Sequence, residues 1–132
     1  MRILGIDPGT GILGFGVIDV VKGKSHMVTA GVIRTPAHTP LDERLVEIYD
    51  GLNEIIAETS PSVMSIEKLF FARNVTTAIG VSHARGVAML AGKKAGLELA
   101  EYTPLQIKQT LTGYGKADKK QVFVTHTPNV FT

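Results

Sequence analysis

The sequence predicts an α/β fold: a five-stranded mixed sheet, three antiparallel strands and then parallel ones, flanked by helices. Three observations predict it. Two short, mostly apolar segments, residues 3–6 and 63–66, each end on a carboxylate, Asp7 and Glu67. Two β-branched runs follow the first of them across short connections. An amphipathic helical stretch then separates them from the second, as a crossover between parallel strands requires. A chain of 132 residues fits one domain large enough for one real core.

The first strand has apolar residues at nearly every position, so it is buried on both faces and belongs in the middle of the sheet. Pro8 and Gly9 end it, one lacking an N–H and the other permitting positive φ. Asp7 is thereby left at the carboxyl end of a central strand, where open α/β sheets place their chemistry. Asp before Pro-Gly is also ordinary turn chemistry, and this segment alone leaves both readings open. Residues 15–21 read as the second strand, Gly23 as a turn and residues 27–35 as the third strand, giving an antiparallel meander.

Thr39-Pro40-Leu41-Asp42 reads as a helix start, with Thr39 as cap, Pro40 at the first helical position and Asp42 completing a capping box. Leu41, Leu45, Ile48, Leu52 and Ile55 then recur at three- and four-residue steps, and Ser60-Pro61 stops the helix. The strand over residues 63–67 repeats the pattern of the first. If it lies beside the first strand, Asp7 and Glu67 emerge at one edge, on strands about 4.8 Å apart.

Asn74 can cap a second helix running to about Ala95 with Gly96 at its end. Its many small residues, among them Ala78, Gly80, Ala84, Ala88 and Gly92, suit close packing on a sheet or another helix. Residues 97–102 read as a fifth strand. Thr103-Pro104-Leu105-Gln106 opens a short helix to about Thr112, Gly113-Tyr114-Gly115 is a turn, and residues 116–121 begin a helical pattern. Residues 123–129 are β-branched, contain Pro and do not sustain it. The expected organisation is one domain over residues 1–122 and an atypical tail over 123–132.

Composition narrows the function classes. An apolar fraction of 44% and a charged fraction of 20% are globular, not disordered. A net charge of +2 with a pI near 9.0 permits an anionic partner without requiring one. The absence of cysteine excludes disulfides and thiolate metal sites and fits a reducing cytoplasm. The N-terminal apolar run is interrupted by Asp7 and Pro8 too early for a signal peptide or membrane span, and no later segment is long enough, so no membrane association is expected.

Gly9-Thr10-Gly11-Ile12-Leu13-Gly14 fits G-x-G-x-x-G, but a dinucleotide site needs a helix next and a strand follows, so the glycines read as a tight turn. A strand-Asp-x-Gly-Thr-strand hairpin also occurs in actin-like phosphotransferases. Those need two such domains and a second phosphate loop, which this chain lacks the length to supply. The paired carboxylates Asp7 and Glu67 suit Mg²⁺, which takes oxygen ligands and keeps waters and substrate phosphates. Such sites drive in-line attack of water on a phosphodiester. Glu67 alone would read as an exposed loop residue; its match to Asp7 favours the site.

Phe70 and Phe71, with Arg73 nearby, can stack on bases, although one ring of an adjacent pair more often enters a core. Lys108, Lys116, Lys119 and Lys120, with only Asp118 against them, surround a Gly-rich turn and suit phosphate contacts; a solvated surface is the alternative. His26, His38 and His83 have no ligand-like spacing and read as surface or packing residues.

Taken together, Gly5-Ile6-Asp7-Pro8-Gly9, Ile66-Glu67-Lys68-Leu69-Phe70-Phe71-Ala72-Arg73-Asn74, Ala84-Arg85-Gly86-Val87-Ala88 and Tyr102-Thr103-Pro104-Leu105-Gln106-Ile107-Lys108 resemble the bacterial RuvC Holliday junction resolvases. The resemblance runs from Met1 to about Val122. It implies a ribonuclease-H-like fold and a structure-specific endonuclease of recombination and repair. Such a nuclease is a homodimer that cuts opposing strands of a four-way DNA junction with two Mg²⁺ per subunit, Mn²⁺ being able to substitute, and it works with the RuvA–RuvB branch-migration complex. Asp7 and Glu67 match the family's first two metal-binding carboxylates, Phe70 its junction aromatic, and Lys108 and Lys119 basic residues near the cleaved backbone. The helix after Asn74 matches the one used in dimer contact.

The same resemblance implies further acidic ligands on a final helix. This sequence has no acidic residue after Asp118, and the surroundings of His126 match no ligand. The expectation is a truncated or altered chain. Two Mg²⁺ ions would be neutralised by Asp7, Glu67 and the scissile phosphate alone, so cleavage should be slow. A catalytically inactive junction-binding fragment is the alternative, with an actin-like nucleotide-binding module after it.

Overall fold

The computed structural model describes residues 1–9, 11–67 and 75–102, with backbone alone at 75–78 and 102. Its strands are β1 (Arg2–Asp7), β2 (Ile12–Val21), β3 (Lys24–Arg34), β4 (Val63–Glu67) and β5 (Glu98–Tyr102). Its helices are α1 (Leu41–Thr59) and α2 (Val75–Lys94). The strands form one sheet in the order β3-β2-β1-β4-β5. β1 pairs antiparallel with β2 and parallel with β4, β2 pairs antiparallel with β3, and β4 pairs parallel with β5. This is the expected mixed sheet with the apolar first strand at its centre.

Both faces of β1 are buried. Leu4 and Ile6 join Met64, Ile66, Leu13 and Val17 under the two helices, where Ile48 and Leu52 of α1 and Ala84, Ala88 and Ala91 of α2 complete the main cluster. Ile3 joins Ile18 and Val63 in a smaller cluster on the other face. Each buried Leu or Ile contributes about 1.5–3 kcal/mol relative to exposure.

Strands β2 and β3 each begin three residues earlier than expected, at Ile12 and Lys24. Gly14 looks like a strand breaker in sequence, but its backbone pairs across both neighbours, with Asp7 and Val32, and that ladder outweighs weak propensity. The register between β2 and β3 shifts at Val17/Ile18. The extra residue bulges the edge strand, a common way of blunting an exposed edge.

The start of α1 differs from the capping-box reading. Pro40, with φ −55° and ψ 147°, is the cap, no side-chain cap bond forms, and the Pro40 carbonyl accepts from Arg44 N–H at 3.0 Å. Thr39 instead donates its backbone N–H to the Pro36 carbonyl at 3.2 Å. Asp42 and Glu43 sit in the first turn, where negative charge suits the helix dipole. Ile48 and Leu52 are buried, whereas Leu41 is 48% exposed because it precedes the part of the helix lying on the sheet. Ser60, left-handed at φ 51°, ends the helix by donating its N–H to the Ile56 carbonyl at 2.8 Å.

Helix α2 ends at Lys94, and Gly96, with φ +83°, closes the turn into β5. Gly92 allows the expected close approach to the sheet: a Cβ there would lie 2.8 Å from Met64 Sδ and 2.9 Å from Leu99 Cδ2. Among the described residues no helix is long and apolar enough to cross a membrane. The Asn74 cap, the helix from Thr103, the turn at residues 113–115 and the stretch from 116 to 132 lie outside the described residues.

At the end of the sheet away from Asp7, Arg2 ties three elements together. Its Nε and Nη2 donate to the Asp19 carboxylate at 2.8 and 2.9 Å, and its Nη1 donates to the Thr59 carbonyl at 2.7 Å. The hydrogen bond from Arg2, then its charge, lowers the pKa of Asp19 below the ordinary carboxylate value, against some desolvation. A lowered carboxylate pKa adds stability above the unfolded-state value, and that stability is lost as pH falls through the folded-state value. Urea midpoints should therefore favour the wild type over Asp19→Asn at neutral pH, and the two curves should converge in acid.

The glycines of α2 give a second test. A Cβ at Gly86 meets nothing, so Gly86→Ala should stabilise by about 0.5–1 kcal/mol through helix propensity. Gly92→Ala must displace the buried Met64 and Leu99 termini, an overpacking cost of about 1–3 kcal/mol, and should be destabilising. Urea unfolding of both variants distinguishes the two environments.

Candidate metal centre at the carboxyl edge of the sheet

The site follows from strand register. Ile6 of β1 lies opposite Ile66 of β4, and Gly5 opposite Ser65, in a parallel ladder. Asp7 and Glu67 are the next residues on the two strands, about 4.8 Å apart in the pairing direction. Side chains alternate along a strand, so both carboxylates share the face of Ile3 and Val63, opposite the face under the helices. Asp7 and Glu67 are each half-buried.

Small residues surround the pair. Gly14 lies opposite Asp7, Gly5 and Gly16 lie opposite each other one step down the face, and Ser65 is buried on β4. The turn after Asp7 is held from β3: the Gly11 carbonyl accepts the Thr35 N–H at 3.1 Å and its hydroxyl at 3.5 Å. Gly9 is required by close approach, since a Cβ there would drive into the Ile12 carbonyl oxygen. Asp7 is thus fixed by its pairing with Gly14, by the β4 ladder that ends one residue before it, and by a braced turn.

Two carboxylates on adjacent strands form an all-oxygen donor set, which fits a hard divalent cation. Among the described residues no group of three His, Cys, Asp or Glu side chains could hold a metal ion. His26, His38 and His83 are exposed, in keeping with the surface alternative. Phe70, Phe71, Arg73, Lys108, Lys116, Lys119 and Lys120 lie outside the described residues, as do Asp118 and His126.

Two features near this edge escape sequence reasoning. Arg85 of α2 donates Nη1 to Met89 Sδ at 3.3 Å and pairs through Nη2 with Glu101 of β5 at 2.5 Å, locking the helix to the strand beside β4. Arg34 ends β3 at the same end of the sheet as Asp7. Neither residue has a local sequence signal, because each placement depends on the pairing of strands distant in sequence.

The sequence pattern of the family described as "Crossover junction endodeoxyribonuclease RuvC" matches residues 3–128. The RuvC protein of Desulforamulus reducens is 51% identical over 122 residues, covering 92% of this chain and 75% of that one. The Thermus thermophilus RuvC structure superposes with a TM-score of 0.77 at 34% identity, over 95% of this chain and 77% of that chain. The T. thermophilus RuvC structure in complex with Holliday junction substrate gives 0.79 at 31% identity, over 99% and 79%.

The braced turn generates its own test. Gly9→Ala must push against backbone and should lower stability by about 1–3 kcal/mol. Gly11→Ala, where a Cβ meets nothing, should stay within about 0.5 kcal/mol of wild type in the same urea titration.

Proposed function

The chain belongs to the RuvC family of crossover junction endodeoxyribonucleases, and from that premise we propose that it resolves four-way DNA junctions by metal-dependent phosphodiester hydrolysis. The observation that carries this reading is the register of β1 and β4, which sets Asp7 beside Glu67 in a chain matching the family over residues 3–128. The junction DNA bound by the T. thermophilus neighbour supports the same class of substrate.

In this reading Asp7 and Glu67 hold the metal. The expected ion is Mg²⁺, two per subunit, with Mn²⁺ able to replace it. When bound it supplies Lewis acidity at the scissile phosphate and a more acidic attacking water. The chain's own contribution is positional: the paired strands fix both carboxylates, and the small residues beside them leave room for a backbone to approach. Phe70, Phe71 and Arg73 engage bases at the junction, and Lys108, Lys116, Lys119 and Lys120 neutralise phosphates. Residues 1–122 form the nuclease domain. The active species is a homodimer in the cytoplasm, cutting opposing strands and taking its junction from the RuvA–RuvB complex.

Removing one ligand charge tests the site. Asp7→Asn and Glu67→Gln should each slow Mg²⁺-dependent cleavage of a synthetic four-way junction by roughly 10³-fold, an effect of several kcal/mol on the transition state. Both should still bind the junction when Mg²⁺ is chelated. Wild-type cleavage rates in either variant, or equal cleavage of linear duplex and junction by the wild type, would sink the proposal.

A further inference from the structure

We propose that Arg34, at the carboxyl end of β3, is a phosphate contact for the DNA strand that reaches the Asp7–Glu67 edge. This rests on the junction-nuclease reading above and adds a named contact to it. Arg34 is exposed, and among the described residues no hydrogen bond or ion pair engages its side chain. The other arginines of the described residues are occupied: Arg2 by Asp19 and Thr59, Arg44 by the Pro36 carbonyl, and Arg85 by Glu101 and Met89.

Register puts Arg34 on the working face. It lies opposite Ile12 on β2, and Gly14, two residues on, lies opposite Asp7. Alternation therefore places Ile12, Gly14, Asp7 and Arg34 on one face. Two strand spacings of about 4.8 Å and a two-residue offset of about 6.8 Å separate the Cα atoms of Arg34 and Asp7 by roughly 12 Å. The positions between them on this face are Ile12 and Gly14 on β2 and Val32 on β3, none of them charged. A nucleic-acid backbone passing over Gly14 to the carboxylates would run within reach of the guanidinium a few nucleotides from the cleaved phosphate.

The placement is rigid where it matters. Thr35, next to Arg34, is buried and donates both its N–H and its hydroxyl to the Gly11 carbonyl in the turn after Asp7. The arginine and the first carboxylate are thus held in one frame through a single bracing point. A planar guanidinium suits bidentate phosphate recognition, and this one is not engaged by a carboxylate of the described residues.

The test is junction affinity against salt concentration, measured by fluorescence anisotropy with Mg²⁺ chelated so that cleavage does not intervene. Each neutralised phosphate contributes about 0.9 to the log–log slope. Arg34→Gln should lower the slope by about that amount and weaken binding several-fold at low salt, while Arg34→Lys should keep the slope. Lys24→Gln, which removes the same charge at the far end of the sheet, should leave the slope unchanged. An unchanged slope in Arg34→Gln with wild-type binding intact would overturn the role of Arg34 alone, as would an equal loss in Lys24→Gln. A wild-type protein that fails to bind the junction would overturn this inference together with the function it rests on.

Discussion

Everything in this structure depends on the two-sided pairing of β1. One six-residue strand supplies backbone hydrogen bonds to β2 on one edge and β4 on the other, and apolar side chains to both faces. The antiparallel partner comes from the adjacent hairpin, and the parallel partner returns after α1. A slip of one residue between β1 and β4 would exchange the faces of Ile66 and Glu67, turning the carboxylate toward the helices and the isoleucine away from the core. Core formation and site formation are therefore enforced by the same register.

The two ends of β1 carry different electrostatics. Near its start, Arg2 reaches both Asp19 and the carbonyl end of α1, so positive charge meets a carboxylate and a helix C-terminus together. At its finish, Asp7 stands beside Glu67, two like charges about one strand spacing apart. The Arg2–Asp19 ion pair thus anchors the start of the strand, and the candidate site stands at its finish.

Much of this was legible in sequence because the decisive signals were local. Apolar runs ending on Asp7 and Glu67 gave two buried strands, the Leu and Ile spacing gave α1, and the β-branched runs gave the meander. What was not legible depended on long-range pairing. Gly11 and Gly14 hid the first three residues of β2, whose strand conformation comes from ladders on both sides. The cap of α1 moved from Thr39 to Pro40 because the preceding turn took Thr39 N–H to Pro36. The candidate site follows the same pattern: the two carboxylates are visible in sequence as strand ends, whereas the placement of Arg34 on their face depends on the alignment of three strands.

The crossover between β1 and β4 also sets a timetable for synthesis. Ile3 pairs with Val63, so the central strand leaves the ribosome 60 residues before its parallel partner (63 − 3). At about 5–20 residues per second, that is a wait of roughly 3–12 s. The β1–β2–β3 meander can assemble in that interval, but it leaves one edge of β1 open beside an apolar face that α1 has not yet covered. An open apolar edge is prone to pairing with another nascent chain. Pairing with β4 ends the exposure of β1, and β5 then covers the edge of β4 in turn.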